Sequence, residues 1–409
     1  MKILWLLPVI PFPPDTGGKQ DVFFMLREFS RMGNDITAGI IFHDENPPAV
    51  PDEFSRLVND LFFIPGNPGK LHSRLLKTLT DDVPFKFRKY HSEESVRILA
   101  DKIADGKFDT VICDHLHLAP LLLDTRPIVD FESVKFPKTV LRTPNVESVI
   151  VKKYADRVSN PMVAAFARRE SEKMKKYESV VLSEFDLVAA ISPVDKVTFE
   201  QLSKKSANIV SITAGVDTDE LKPSSGPPIP GEVVFVGSFD WQPNVDGALW
   251  FIDKVWKKIR ESFPEAHLSI VGRKPPPYLS EKASDSISVT GRVESVEDYV
   301  RRASCSIVPL WIGSGMRLKI LEAFALGCPV VSTSLGAEGI EITDGEDILM
   351  RDDPAGFADA VLQVLTDINL RDRLAKNARM LVEQKYSWSK VANQFSDLIE
   401  MLPESGRGR

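Results

Sequence analysis

Short apolar runs alternate with stretches of helical period through the first half of the chain. Lys2–Leu7 predicts a buried strand, Val22–Met32 places apolar residues at helical spacing, and Asp35–Phe42 returns to strand. Asp109-Thr110-Val111-Ile112-Cys113 predicts another strand, ending at Asp114-His115-Leu116-His117. A long charged helical stretch follows from about Met162 to Glu184, and Asp186–Ile191 is strand again. Strands that alternate with helices build a parallel, doubly wound sheet.

The texture changes between Ala214 and Gly231. Lys222-Pro223-Ser224-Ser225-Gly226-Pro227-Pro228-Ile229-Pro230 has no period and is dense in turn formers, so it predicts a linker. The alternation then resumes with Glu232–Gly237, Leu268–Gly272, Ile287–Thr290, Cys305–Pro309 and Pro329–Ser332 as strands, with helices between them. The expected organisation is an N-terminal α/β domain over 1–220 and a second over 231–385, with no short internal repeat. Ligands of open α/β sheets bind beyond the carboxyl ends of the strands, so chemistry is sought in the residues after each strand.

The strongest constellation follows the strand that ends at Pro309. Leu310-Trp311-Ile312-Gly313-Ser314-Gly315-Met316-Arg317-Leu318-Lys319-Ile320-Leu321-Glu322 leads from a strand through a glycine loop into a helix, which stops at Gly327 before Pro329. Gly313 and Gly315 let backbone approach a ligand, Ser314 is a candidate helix cap, and the amides at that helix mouth favour an anion. Arg317 and Lys319 sit in the first turn, where the helix dipole disfavours cations, which makes sense if a diphosphate occupies the mouth. Lys319 and Glu322 share a face, so Glu322 is placed for ribose hydroxyls; the plainer alternative is a solvated helix with a Lys319–Glu322 ion pair.

Composition narrows the classes. The 409 residues are 43% hydrophobic and 27% charged, ordinary values for a globular chain, and the net charge of −7 argues against a nucleic-acid partner. Cys113, Cys305 and Cys328 lie far apart with no metal-ligand or disulfide spacing, which favours a reducing, cytoplasmic setting. The apolar N-terminus is brief and broken by Pro8, so it is taken as a first strand and not a signal peptide. No window reaches the length of a membrane span, which leaves peripheral contact as the one membrane association open; the basic run Lys173-Met174-Lys175-Lys176-Tyr177 is its candidate, with a solvated helix face as the plainer reading. Two histidines two apart, His115 and His117, are a fragment of a metal site at most. Asn145 and Glu147 are read as cleft-bordering residues or a loop cap. Trp241, Trp250 and Trp256 are read as packing residues, and Trp311 as better placed for ligand contact.

Gly313–Val331 as a whole resembles the donor-site motif of GT-B glycosyltransferases, specifically family 4, the glycosyl transferases group 1 type. Val289-Thr290-Gly291-Arg292-Val293 is similar to that family's base-contacting turn, and Gly336-Ala337-Glu338-Gly339-Ile340 to the segment after its next strand. Asp15-Thr16-Gly17-Gly18 resembles its N-terminal glycine loop, and Arg169-Glu170, Asp186-Leu187-Val188 and Ala214-Gly215-Val216-Asp217 fall in the family's order. The resemblance implies two Rossmann-like domains facing across a cleft, with a C-terminal helix, about 386–409, returning to the N-terminal domain from Tyr386-Ser387-Trp388. It implies that Gly17 and Gly18 bring amides to the donor diphosphate and that Arg292 and Val293 hold the base. Gly313, Ser314, Gly315 and Met316 would line the diphosphate, Arg317 and Lys319 would neutralise it, and Glu322 would bind the ribose. Asp114, His115 and His117 compete for a role beside the sugar, with Asp114 and His117 as the catalytic candidates.

Two positions depart from the family pattern. Its first glutamate is Ser314 here, so sugar identity is not inherited. Its Arg and Lys after the first strand of the second domain are replaced by Gly237-Ser238-Phe239-Asp240-Trp241. The implied activity is transfer of a sugar from a nucleotide diphosphate sugar to the hydroxyl of a glycan, lipid-linked or small-molecule acceptor, with retention, and without a required metal or other cofactor. The rival readings are a nucleotide-sugar 2-epimerase or phosphorylase of the same fold, and a catalytically silent subunit that binds sugar nucleotide.

Overall fold

A computed structural model describes residues 1–67, 83–129, 136–158, 160–204, 206–312 and 316–403. The chain forms two compact units: Met1–Thr213 together with the residues from Ala392 onward, and Ala214–Val391.

The first unit holds a seven-stranded sheet in the order β3-β2-β1-β4-β5-β6-β7. Its strands are β1 (Lys2–Leu7), β2 (Asp35–Phe42), β3 (Asp60–Pro65), β4 (Thr110–Asp114), β5 (Lys138–Thr143), β6 (Leu187–Ala190) and β7 (Ile209–Ser211). All pairings are parallel, and the order reverses between β1 and β4. The apolar runs read from the sequence are buried on both faces, as parallel strands covered by helices must be. The first helix spans Gly17–Arg31, so the two glycines lie inside its first turn with Thr16 as N-cap. The long charged helix runs Pro161–Val181 and is started by Asn160, whose side chain accepts from the amides of Met162 and Val163.

The second unit holds a six-stranded sheet in the order β10-β9-β8-β11-β12-β13. Here β8 is Ile229–Val236, β9 His267–Val271, β10 Ile287–Gly291, β11 Ala303–Val308, β12 Val330–Ser332 and β13 Leu349–Met350. The reversal falls between β8 and β11, so both sheets have the strand order of a dinucleotide-binding fold.

The proline-rich stretch is packed rather than free. Arg301 Nε donates to the Lys222 carbonyl at 3.1 Å, Arg379 donates to the carbonyls of Thr218 and Leu221, and Pro223 lies against Gly327. Residues 214–230 therefore belong to the second unit. Tyr386 and Trp388 also stay there: the Val216 amide donates to the Tyr386 carbonyl at 2.7 Å and the Trp388 amide to the Val216 carbonyl at 3.2 Å. The helix Trp388–Glu400 then carries the chain into the first unit, where Phe395 meets Phe29 edge-on at 5.7 Å. Lys138 Nζ donates to the Ile399 and Glu400 carbonyls and so caps that helix's negative end.

Candidate active site

In the second unit the helix Leu318–Ala325 begins with Arg317 as its N-cap residue, in extended conformation and with no side-chain cap. Ser314, read from the sequence as a candidate cap, lies with Gly313 and Gly315 outside the described residues. The helix ends as the sequence indicates. Gly327 takes φ +73°, its amide bonds to the Phe324 carbonyl and that of Cys328 to Ala323, a left-handed close that glycine adopts without strain.

Lys319 reaches back to the switch point of the sheet. Its Nζ donates to the Val236 carbonyl at 2.7 Å and to Asn244 Oδ1 at 2.9 Å, and lies 5.0 Å from the centre of the Phe235 ring. Burial, reinforced by the charge of Arg317 and opposed by Glu322, brings its ammonium down to about 7. It makes no ion pair with Glu322 within 4.0 Å, so the pair expected in the plainer alternative does not form. Burial, with Glu297 nearby, raises the Glu322 carboxyl above its ordinary range against the pull of Lys319. Burial likewise lowers Arg317, and Glu338 partly restores it. Glu338 comes from the segment after β12, beside Gly339, whose φ of +84° favours glycine and which lies in ordinary contact distance of the Met316 backbone. The buried Arg317 and the half-buried Lys319 thus stand at the start of one helix, with the half-buried Glu322 one turn further on, at a strand-order reversal.

Neighbouring strand ends close around this place. Gly272, at φ +150°, donates to the Gly291 carbonyl at 3.2 Å, and Gly237 donates to Val271 at 3.0 Å. Arg292 is exposed and Val293 half-buried in the turn after β10. The loop Gly237–Trp241 has no cation of its own, but the loop after β9 supplies two: Arg273 Nε donates to Ser238 Oγ at 2.7 Å, and Lys274 Nζ lies 3.4 Å from Asp240. Trp250 meets Trp311 at 5.1 Å and Phe357 at 5.5 Å, so Trp311 is held by aromatic edges while 38% exposed. Trp256 is buried, as read; Trp241 is 40% exposed at the start of the helix Gln242–Phe251.

In the first unit Gly17 and Gly18 are exposed at the first turn of the Gly17–Arg31 helix, and a Cβ on Gly18 would meet nothing within 4 Å. Asp114, at the end of β4, is fully buried. Its Oδ2 accepts from Trp5 Nε1 at 3.1 Å and Arg142 Nη1 at 3.3 Å, and Arg142 Nη2 also donates to Asp21 at 2.5 Å. Burial pushes the Asp114 carboxyl up, but Arg142, His115 and Trp5 outweigh it and hold it below its ordinary value. Asp114 is thus committed to an internal ion network. His115 follows at φ +85°, a conformation that costs a non-glycine residue of order 1–3 kcal/mol. His117 is 5% exposed, stacks on Tyr90 at 4.2 Å, and neither ring nitrogen has a hydrogen-bond partner among the described residues. Burial, helped by the nearby charges of His115, Lys86, Lys89 and His43, lowers its pKa well below 6.5, so the ring is neutral. Glu147 is buried and pairs with Lys86 at 2.7 Å.

Sequence reading missed Arg142 and Asn244. A lone arginine inside the apolar run Val140-Leu141-Arg142-Thr143 was a usable signal for a buried ion network. Nothing in the sequence marks Asn244 as the partner of Lys319.

Residues 230–367 match the family of Glycosyl transferases group 1. Over nearly its whole length the chain is similar to an uncharacterized 44.6 kDa protein in the cps region of Klebsiella pneumoniae, 22% identical over 405 residues, 95% of this chain and 97% of the relative. It is 28% identical over 283 residues to the phosphatidyl-myo-inositol mannosyltransferase of Mycobacterium leprae, 65% of this chain and 74% of that protein. Among solved structures, Anabaena HepE in complex with UDP and glucose superposes with a TM-score of 0.62 at 13% identity, over 98% of this chain and 100% of HepE.

Proposed function

We propose that the chain, of GT-B fold and matched by the group 1 glycosyltransferase family over 230–367, moves a sugar from a nucleotide diphosphate sugar to an acceptor hydroxyl with retention at the anomeric carbon. The observation that carries the proposal is Lys319, an ammonium drawn to the carboxyl end of β8 and shifted to about 7. Lys319 is half-buried and makes no carboxylate ion pair among the described residues, and a bound diphosphate would offset the cost of holding its charge there.

In this reading Arg317 and Lys319 neutralise the donor diphosphate beside the amides of Gly313, Ser314, Gly315 and Met316. Gly17 and Gly18 offer helix-terminal amides, Arg292 and Val293 hold the base, and Glu322 accepts hydrogen bonds from the ribose. The bond from the anomeric carbon to the phosphate oxygen breaks and the acceptor oxygen bonds to the same face. The acceptor proton goes to the departing phosphate oxygen, so no protein nucleophile is called on. Stabilising the leaving charge is the protein's task. His117 offers a neutral imidazole at the carboxyl edge of the first sheet, and Asp114 acts through Arg142 as a positioning residue. UDP is the first nucleotide to test, because HepE was solved with UDP and glucose.

The test is product analysis with a panel of nucleotide diphosphate sugars and acceptors, reading nucleoside diphosphate release and the anomeric configuration by NMR. Release of nucleoside diphosphate with an anomer of unchanged configuration is the expected result. An inverted anomer rejects retention, and a sugar nucleotide altered only at C2 assigns the protein to the epimerase alternative.

A further inference from the structure

We propose that the helical hairpin Glu147–Arg157 and Pro161–Val181 is the surface by which this protein docks on an anionic lipid bilayer. Its inner face is already satisfied: Ala155, Ala164, Ala167 and Met174 are buried against the first unit. The outer face carries large apolar groups in water, with Met162 79%, Tyr154 56% and Ile150 44% exposed, and Val149 and Val163 beside them. Met162 and Val163 stand at the turn between the two helices, directly after the Asn160 cap. A cluster of this kind on one supersecondary element marks an interaction site, whereas scattered exposed apolar residues need no explanation.

Charge selects the partner. The exposed cations on the hairpin are Lys152, Lys153, Arg168, Arg169, Lys175 and Lys176, against the exposed acids Asp156 and Glu172. This cationic excess stands on a chain of net charge −7, so it is a local feature and not a reflection of composition. Like charges around the apolar crest disfavour a second copy of the same surface. A bilayer with anionic headgroups accepts both features: apolar side chains enter the headgroup boundary, while lysine and arginine stems lie along it with their charges at the phosphates. Among the described residues no helix is long and apolar enough to cross a membrane, so the contact is a surface one. The basic run singled out in the sequence contributes only in part, because Lys173 and Met174 are buried while Lys175 and Lys176 face outward.

The test is sedimentation of the full-length protein with vesicles of phosphatidylcholine alone or with roughly one third phosphatidylglycerol. Wild type is expected to bind the anionic vesicles at least about tenfold better than the neutral ones, and less as salt rises. The double variant Lys152→Glu with Lys153→Glu should lose about tenfold or more on anionic vesicles. Tyr154→Ser with Met162→Ser should lose several-fold while keeping the salt response. Lys254→Glu with Lys257→Glu, an equal charge change at exposed positions of the second unit, should bind as wild type does. Circular dichroism melts check that each variant is folded. Absence of binding by wild type, equal binding by the hairpin variants, or an equal loss in the Lys254/Lys257 control overturns the proposal. So does a dimer, seen by light scattering, that the hairpin substitutions dissolve while vesicle binding is unchanged.

Discussion

Burial lowers the Lys319 ammonium to about 7. In the free protein it loses its proton near pH 7, whereas in an unfolded chain it keeps it to about 10.5. Between those values the unfolded state binds the extra proton, so this group makes folding stability rise with pH from about 7 to about 10.5. A diphosphate beside the ammonium restores the charge, so donor binding at pH 8 should take up about one proton. Calorimetry in buffers of different ionisation enthalpy reads that uptake, and Lys319→Met should abolish it while weakening the donor about tenfold or more. Unchanged uptake in the variant would assign the proton elsewhere. In the first unit, Arg142→Met leaves Asp21 and Asp114 buried together without their cation, and should cost roughly 3–5 kcal/mol in a denaturant melt. His117→Ala, by contrast, should lower turnover more than nucleotide affinity, and an equal loss in both would remove it from a role beside the sugar.

At the scale of elements, strand ends set the shape of the candidate site. A Cβ on Gly272 would stand 1.7 Å from the Gly237 carbonyl oxygen, a contact that no side-chain rotation relieves. Gly272→Ala should therefore destabilise by roughly 2 kcal/mol or more and shift Lys319's partners, because the Gly237 loop would have to retreat. Thermal denaturation checks it, and a variant as stable as wild type would show that the strand ends have room to part. Most strands were legible because each is a short, largely apolar run bounded by turn formers, a pattern that depends on local sequence alone. The helix start was not: Gly313-Ser314-Gly315 looks like a capping loop, yet the helix forms only from Leu318, where Ile320 can bond back to the Arg317 carbonyl. Nor was the pairing of Lys319 with Asn244, 75 residues away, which only the folded sheet creates.

For the whole molecule, the chain crosses between its units twice, at Thr213–Ala214 and within the helix Trp388–Glu400. Trp388 remains tied to Val216 while Phe395 packs on Phe29, so one helix serves both units by its two ends. Donor binding at the Leu318–Ala325 helix, as proposed, joins three observations: the half-buried Lys319, Glu322 without a partner among the described residues, and the group 1 match over 230–367. The most direct test of that account is titration calorimetry of UDP into the full-length protein and its Lys319→Ala and Glu322→Ala variants. The account predicts saturable binding to wild type and a loss of about tenfold or more in each variant, with the fold retained. Equal affinity in all three proteins would contradict it.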